Sequence, residues 1–446
     1  MKIIFIFFIL LITLEISATE LIIYDPPEGA EAAPEFELMV NDNPVFVYNA
    51  RPAAFACFSF EGKVDIEVKF LSPVMEYDIR PLSRNIQATQ NRNTIHFSLD
   101  QPEYLSIEIN KNIKRPLFIF ADPLEKDVPR KGDKDVIFFE TGKIHYPGEV
   151  KVGSNQTVYI EGGAIVRGHF MTDRGKNIRI MGRGILDNSR YMKGEHRPIE
   201  INRCEQVLIQ GIIIMESRHW TCASHASRDV LYDHFKVVSA NDWDDAIDIV
   251  GSQNVTVDHC FLRSKDDCIA IKAGVNYFTD FNSQHNVDSI LVQNSVLWNG
   301  VWGNAMEIGF ETRADTIKNV RFRNCDIIHA EGPEGTFTIH NGDRAVVSNV
   351  LYDNIRVEDA QGWLIDFKIL ESQYSKDKQR GKIEHVRFRN IHVGGERFPY
   401  SQLMGLSDDR NIHNVVLEDF YIHDQRIRST YDGEITMIHT KGFEIR

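Results

Sequence analysis

Apolar and polar positions fall into two regimes along this chain. Residues 19–135 carry short runs in which the two kinds of side chain alternate: 44–48, 64–70, 94–99, 105–109 and 116–120. Pro, Gly, Asn and Asp separate the runs. Alternation sends successive side chains to opposite faces of a strand. Strands at this spacing predict a small antiparallel β-sandwich. The charged segment 124–135 reads as the linker behind it. No acid/base constellation stands out in residues 19–135. A lid, a brace or an ancillary binding module is the expected role.

From Val136 the pattern changes, and a phrase of the type Asn-Val-x-apolar recurs to the end. Aligning its branched residue gives Val158, Ile178, Val207, Val230, Val255, Ile290, Val320, Val350, Val386 and Val415, with steps of 20 to 36 residues. Inserted loops such as 276–288 and 331–336 lengthen the larger steps. Asn155, Asn177, Asn254, Asn319, Asn349 and Asn414 sit at the corner of the phrase, where Asn tolerates tight turns. No amphipathic helix of convincing length interrupts. The step is too short for a propeller blade of four strands. The pattern predicts an all-β chain: a right-handed parallel β-helix of about ten coils over residues 136–446, behind the sandwich.

Stacking these coils in register makes columns. Ile247, Ile269, Met306, Phe337 and Ile365 form one apolar column, and Ile249, Ile271, Ile308, Ile339 and Phe367 the next. Both should point into the coil. Asp248, Ala270, Glu307, Thr338 and Asp366 lie between them and should face outward. Asp245, Asp267 and Asn304 come just before, and Lys272, His340 and Lys368 just after. The densest part is 243–272, where Asp244-Asp245-Ala246-Ile247-Asp248-Ile249 is nearly repeated 22 residues later as Asp266-Asp267-Cys268-Ile269-Ala270-Ile271. Carboxylates crowded this way repel, so at least one should hold a raised pKa. One protonated acid beside one ionised acid suits general acid/base work. Trp243, Trp302 and Trp363 lie close by in sequence. Aromatic faces beside carboxylates are what a sugar cleft needs. Trp243, Asp244, Asp248, Lys272, Trp302, Asn304, Glu307 and His340 are therefore candidate substrate-binding residues. Turn formation, calcium binding or plain solvation are the other readings of such acids.

The chain has 446 residues and a net charge of −14. That balance argues against nucleic acid or an anionic membrane as partner, and makes a strongly acidic polymer a less natural substrate. Lys2, the apolar run 3–14 and Ile16-Ser17-Ala18 read as a secretory signal over residues 1–18, with a signal anchor as the alternative. Secretion or a periplasmic location, with no membrane insertion after signal removal, is expected. The cysteines (Cys57, Cys204, Cys222, Cys260, Cys268 and Cys325) form no CxxC pair, so zinc and redox motifs are unsupported. Buried thiols are expected, and one or two disulfides stay open.

Residues 243–272 resemble the core of the polygalacturonase family of glycoside hydrolases, family 28. Its pattern is Asn-Thr-Asp-Gly-x-Asp, then Asp-Asp-Cys-Ile-Ala. Asp245 and Asp248 match the acids of the first motif. Asp266-Asp267-Cys268-Ile269-Ala270 matches the second, 21 residues after Asp245. The resemblance implies an inverting glycosidase with Asp245, Asp266 and Asp267 as catalytic residues. Asp266 would protonate the leaving oxygen, while Asp245 and Asp267 hold and deprotonate water. Inversion asks for an acid–base separation of roughly 6.5–9.5 Å. Strict alternation would part Asp266 from Asp267, so a bend at Lys265-Asp266 is required. The family's Gly-His-Gly stands here as Gly303-Asn304-Ala305, and its Arg-Ile-Lys as Thr338-Ile339-His340. Both changes weaken the case for a galacturonate in the central subsite. The related family 49, of dextranases and isopullulanases, pairs a similar helix with a preceding sandwich.

The sequence thus points to a hydrolase of a polysaccharide or a derived oligosaccharide, with no metal or organic cofactor. A pectin-type lyase would need calcium and a base such as Lys272 or His340. A non-catalytic carbohydrate-binding helix is the third reading. Oligomeric state is not legible. Loops 276–288, 311–316 and 370–379 should set the sugar and linkage.

Overall fold

The computed structural model describes residues 19–274 and 285–446. The expected signal, 1–18, and most of loop 276–288 lie outside the described residues. Among the described residues no helix is long and apolar enough to cross a membrane.

Two five-stranded sheets come first. One runs Asn43–Val45, Phe36–Val40, Val64–Phe70, Thr94–Leu99, Ala88–Asn91, antiparallel throughout. Val64–Phe70 alternates buried and exposed along its whole length, so one face meets solvent. The other sheet runs Glu20–Ile23, Ala54–Glu61, Leu117–Asp122, Glu103–Ile109, Tyr77–Arg80. Its central pair, Ala54–Glu61 with Leu117–Asp122, is parallel, so this half is mixed rather than purely antiparallel. Ala54, Ala56, Phe58 and Phe60 turn toward the first sheet, where they join Leu38, Ile66 and Val68. Phe55 and Cys57 turn the other way.

Among the described residues from Val136 onward the strands form one sheet of 30, wound so that strands of successive coils pair in parallel. This is the parallel β-helix that the periodicity predicts. Register follows the expected columns: Ile247 faces Ile269, then Met306, Phe337 and Ile365. All five lie in the buried lumen. The first predicted step is off by two residues. Val158 pairs with Ile180, not Ile178, while Ile178 pairs with Val207. A slip of two keeps every side chain on its face, so the apolar pattern alone cannot detect it.

The corner asparagines are left-handed, as at Asn155 (φ 61°), Asn254 (φ 53°) and Asn349 (φ 54°). A second corner column bonds along the axis: Asn324 Nδ2 to Asn294 Oδ1 at 2.7 Å, Asn354 to Asn324 at 3.0 Å and Asn390 to Asn354 at 2.8 Å. Each amide donates to one coil and accepts from the next, so the ladder fixes coil spacing. All six cysteines are buried and unbridged, which closes the disulfide option.

The sandwich rests on the flank of the helix. Phe55, Phe118 and Phe120 pack in one cluster with Ile213, Phe261 and Trp298 of the coils. Polar groups set the docking angle within this apolar seam. Lys236 is fully buried, with Nζ 2.8 Å from both oxygens of Asp122 and 2.6 Å from the Gly211 carbonyl. His329 Nε2 lies 3.0 Å from Glu108, and burial is outweighed by Glu108 and Asp359, which raise its pKa to about 9.

Candidate active site

Strand Phe261–Ser264 ends just before Asp266, and strand Ile269–Ala273 begins just after Asp267. The connecting turn is built from below. Asp244 Oδ1 accepts the amides of Lys265 (2.8 Å) and Asp266 (3.0 Å), and its Oδ2 accepts that of Asn241 (2.8 Å). Ser264 Oγ lies 3.0 and 2.9 Å from the carbonyls of Asp266 and Asp267. The bend breaks strand alternation, so consecutive carboxylates share a side. Gly303, with φ +60°, passes directly over the turn. A Cβ there would stand 2.5 Å from Asp266 Oδ1 and 2.6 Å from the Asp267 amide. Only glycine fits.

The outcome is one cluster. Asp245, Asp266 and Asp267 each bring an oxygen within 4.8 Å of the others. Asp245 and Asp267 are buried at 3% and 7% exposure, while Asp266 is partly open to solvent. Burial, then the neighbouring Asp245, pushes the Asp266 carboxyl up to about 8. Asp267 is also raised, by burial and then by Asp245 and Asp266. Its Oδ1 accepts two hydrogen bonds from Asn304, from the amide at 2.7 Å and from Nδ2 at 3.1 Å.

One ammonium answers these acids. Lys272 Nζ lies 2.8 Å from Asp245 Oδ2, 2.9 Å from Asp248 Oδ1 and 4.1 Å above the Trp220 ring. Burial would lower its pKa, but Asp245 and Asp248 more than reverse that, so Lys272 stays charged. A second buried cation lies further along the helix. His340 sits 3.2 Å from both Glu307 and Asp366, which overcome burial and hold its pKa near 10.

The structure separates the expected substrate-binding residues into three groups. Trp243 and Trp302 are about half exposed, at 52% and 56%, with Lys193 Nζ over the Trp243 ring. Lys272 and Asn304 touch the catalytic carboxylates directly. Asp244, Asp248, Glu307 and His340 correct the expectation, since none is more than 1% exposed. They lie outside the coil lumen, as alternation requires, yet other parts of the same chain cover them. Asp244 spends its oxygens on backbone amides, and His340 pairs with Glu307 and Asp366, the latter also held by Lys368 at 2.7 Å.

Glu334 was not expected. Its Oε2 accepts Asn304 Nδ2 at 3.2 Å, so Asn304 bridges Asp267 and Glu334, and burial raises the Glu334 pKa. It lies in the 331–336 insertion, outside the repeat register, where periodicity carries no signal.

Two clusters among the described residues have metal-like composition. In the first, Asp245, Asp266 and Asp267 could together take a cation. Lys272 already supplies positive charge at Asp245, and Asn304 occupies Asp267 Oδ1. In the second, Asp233 and His234 bond each other at 2.7 Å, and His234 stacks on His259 at 5.0 Å. Parallel rings at that spacing do not converge on one ion.

A family model described as Glycosyl hydrolases family 28 matches residues 140–428. The chain belongs to glycosyl hydrolase family 28. An exopolygalacturonase of Rhizopus delemar is 23% identical to this family 28 chain over 275 residues, covering 58% of it and 65% of the relative. A probable endopolygalacturonase D of Aspergillus niger is 24% identical over 272 residues, covering 59% and 46%. The chain thus spans about half to two thirds of the length of these relatives. Dex49A of Penicillium minioluteum shares the fold at TM-score 0.56 and 13% identity, over 93% of this chain and 96% of that one. A family 28 exopolygalacturonase of Yersinia enterocolitica does so at 0.54 and 11%, over 86% and 96%.

Proposed function

We propose that this family 28 protein is an exported, inverting O-glycosyl hydrolase of a polysaccharide or its fragments. The cluster of Asp245, Asp266 and Asp267 around a partly open Asp266 carries the reading. Asp266, raised to about 8, is protonated at neutral pH and can give its proton to the glycosidic oxygen as that bond breaks. Asp245 and Asp267 lie deeper and face the same space. Water held between them attacks the anomeric carbon and gives up one proton to the pair. Lys272 pairs with Asp245, and the two Asn304 donors orient Asp267. Asn304 takes the place of the histidine in the family pattern and donates to Asp267 directly, so its identity is compatible with activity.

One rival outcome is tested against this. Carboxyl groups about 5–5.5 Å apart belong to retaining enzymes, in which one acid is the nucleophile. Proton NMR of the first product decides: the opposite anomer supports inversion, and the same anomer assigns a covalent route. A calcium-dependent lyase is disfavoured because Lys272 already neutralises Asp245 and His340 is locked between two acids. The relatives are named polygalacturonases, so pectic polymers head the substrate screen, with α-glucans and algal polysaccharides behind them. Reducing ends should appear, chelator should not abolish them, and no unsaturated product should absorb in the ultraviolet. Absence of any hydrolysis across that panel would sink the proposal.

A further inference from the structure

Between the sandwich and the early coils lies a cavity of about 360 Å³. Small-molecule sites occupy roughly 300–1,000 Å³. Tyr48, Asn49 and Arg51 line it from the sandwich, and Asp187, Glu216 and Arg218 from the coils. Arg51 Nε pairs with Glu216 at 3.2 Å, and Arg167 Nε with Asp187 at 2.7 Å. Two lining groups lack a hydrogen-bond partner among the protein atoms: the Tyr48 hydroxyl, on a residue 3% exposed, and Arg218 Nε. Buried donors without partners cost stability, and native chains keep few of them. Guanidinium–carboxylate pairs offer donors and acceptors side by side, which is what a sugar ring with vicinal hydroxyls uses.

A smaller hollow of about 200 Å³ shares Arg218 and adds Lys193, Asn241, Asp242 and Lys265. Lys265 directly precedes Asp266, and Lys193 Nζ stands 4.2 Å over the exposed Trp243 ring. Lys193, Lys265 and Arg218 outnumber Asp242, so this hollow favours an anion. Arg218 lines both hollows, and Lys265 at the second is the chain neighbour of Asp266.

We propose that they form a distal run of sugar subsites, whose far end the sandwich supplies. The occupant is a stretch of the same polysaccharide chain, several units from the cleaved bond. An acidic sugar unit lies over Lys193, Lys265 and Arg218, and hydroxyls meet Tyr48 and the two ion pairs. The inference rests on the glycoside hydrolase reading and gives the sandwich a binding role.

The test uses the full-length protein with oligogalacturonides from dimer to decamer, and an α-glucan series in parallel. Tyr48→Phe removes only the hydroxyl, and Ala30→Trp fills the cavity from its sandwich side. Both should raise KM about tenfold for the longest oligomers and leave kcat and the shortest oligomers unchanged, the mark of lost uniform binding. Equal effects at every length, or none, overturn the proposal. If no oligomer is hydrolysed, the hydrolase reading has failed and the cavity is tested by calorimetry instead. Weaker decamer binding to Tyr48→Phe than to the unaltered protein then supports the site, and equal or absent binding overturns it.

Discussion

Asp266 differs from the other two acids of its cluster by being both proton-rich and reachable. Asp266→Asn keeps size and fold but removes the acid, so turnover should fall by about three orders of magnitude or more in a reducing-end assay. In the unaltered protein the rate should decline as pH climbs through about 8, where Asp266 loses its proton. The same residue links activity to stability. A carboxyl raised in the folded chain contributes stability below its ordinary pKa of 3.8 and loses it as pH rises through about 8. Asn has no such loss. Thermal melts should therefore favour Asp266→Asn by a margin that grows across that window and levels off above it. A melting difference independent of pH would refute the linkage. Gly303→Ala should cost activity without unfolding, because its methyl must push Asp266 and the Asp267 amide aside. Spacing made the repeated acid pairs legible, and the resemblance to family 28 singled out Asp245, Asp266 and Asp267 among them. Spacing could not show that Asp248, Glu307 and His340 are roofed over, because alternation tells which face a side chain takes and not what lies above it.

At the scale of strands and corners, the asparagine ladder is the device to test. Asn354 has φ 56°, donates to Asn324 at 3.0 Å and accepts from Asn390 at 2.8 Å. Asn354→Ala should cost about 1–3 kcal/mol, from left-handed strain and two lost hydrogen bonds. Urea melts should show a lower midpoint with an unchanged slope. The coil columns were readable because one face of each strand is always lumen. Val64–Phe70 was readable because its other face is solvent. Ala54–Glu61 escaped detection for the opposite reason: seven of its eight residues are buried, so its run of apolar and small residues has no period.

For the molecule as a whole, the sandwich and helix are joined through a seam that contains buried charge. Lys236→Met would strand Asp122, leaving only Arg183 at 3.9 Å and the Tyr104 hydroxyl at 2.5 Å. Breaking such a pair typically costs about 3–5 kcal/mol. Calorimetry should record a lower melting temperature, and Lys236→Met with Asp122→Leu should recover part of it. Recovery of nothing would mean that the pair is not what holds the seam.

The seam also bears on how the chain is made. Phe55, Phe118 and Phe120 are complete as a surface once the sandwich folds, yet Phe261 and Trp298 are synthesised long afterwards. In the interval a greasy aromatic face waits uncovered. A newly made chain would have to be shielded by a holding chaperone, or kept unfolded until its later half arrives, to avoid clumping with its siblings.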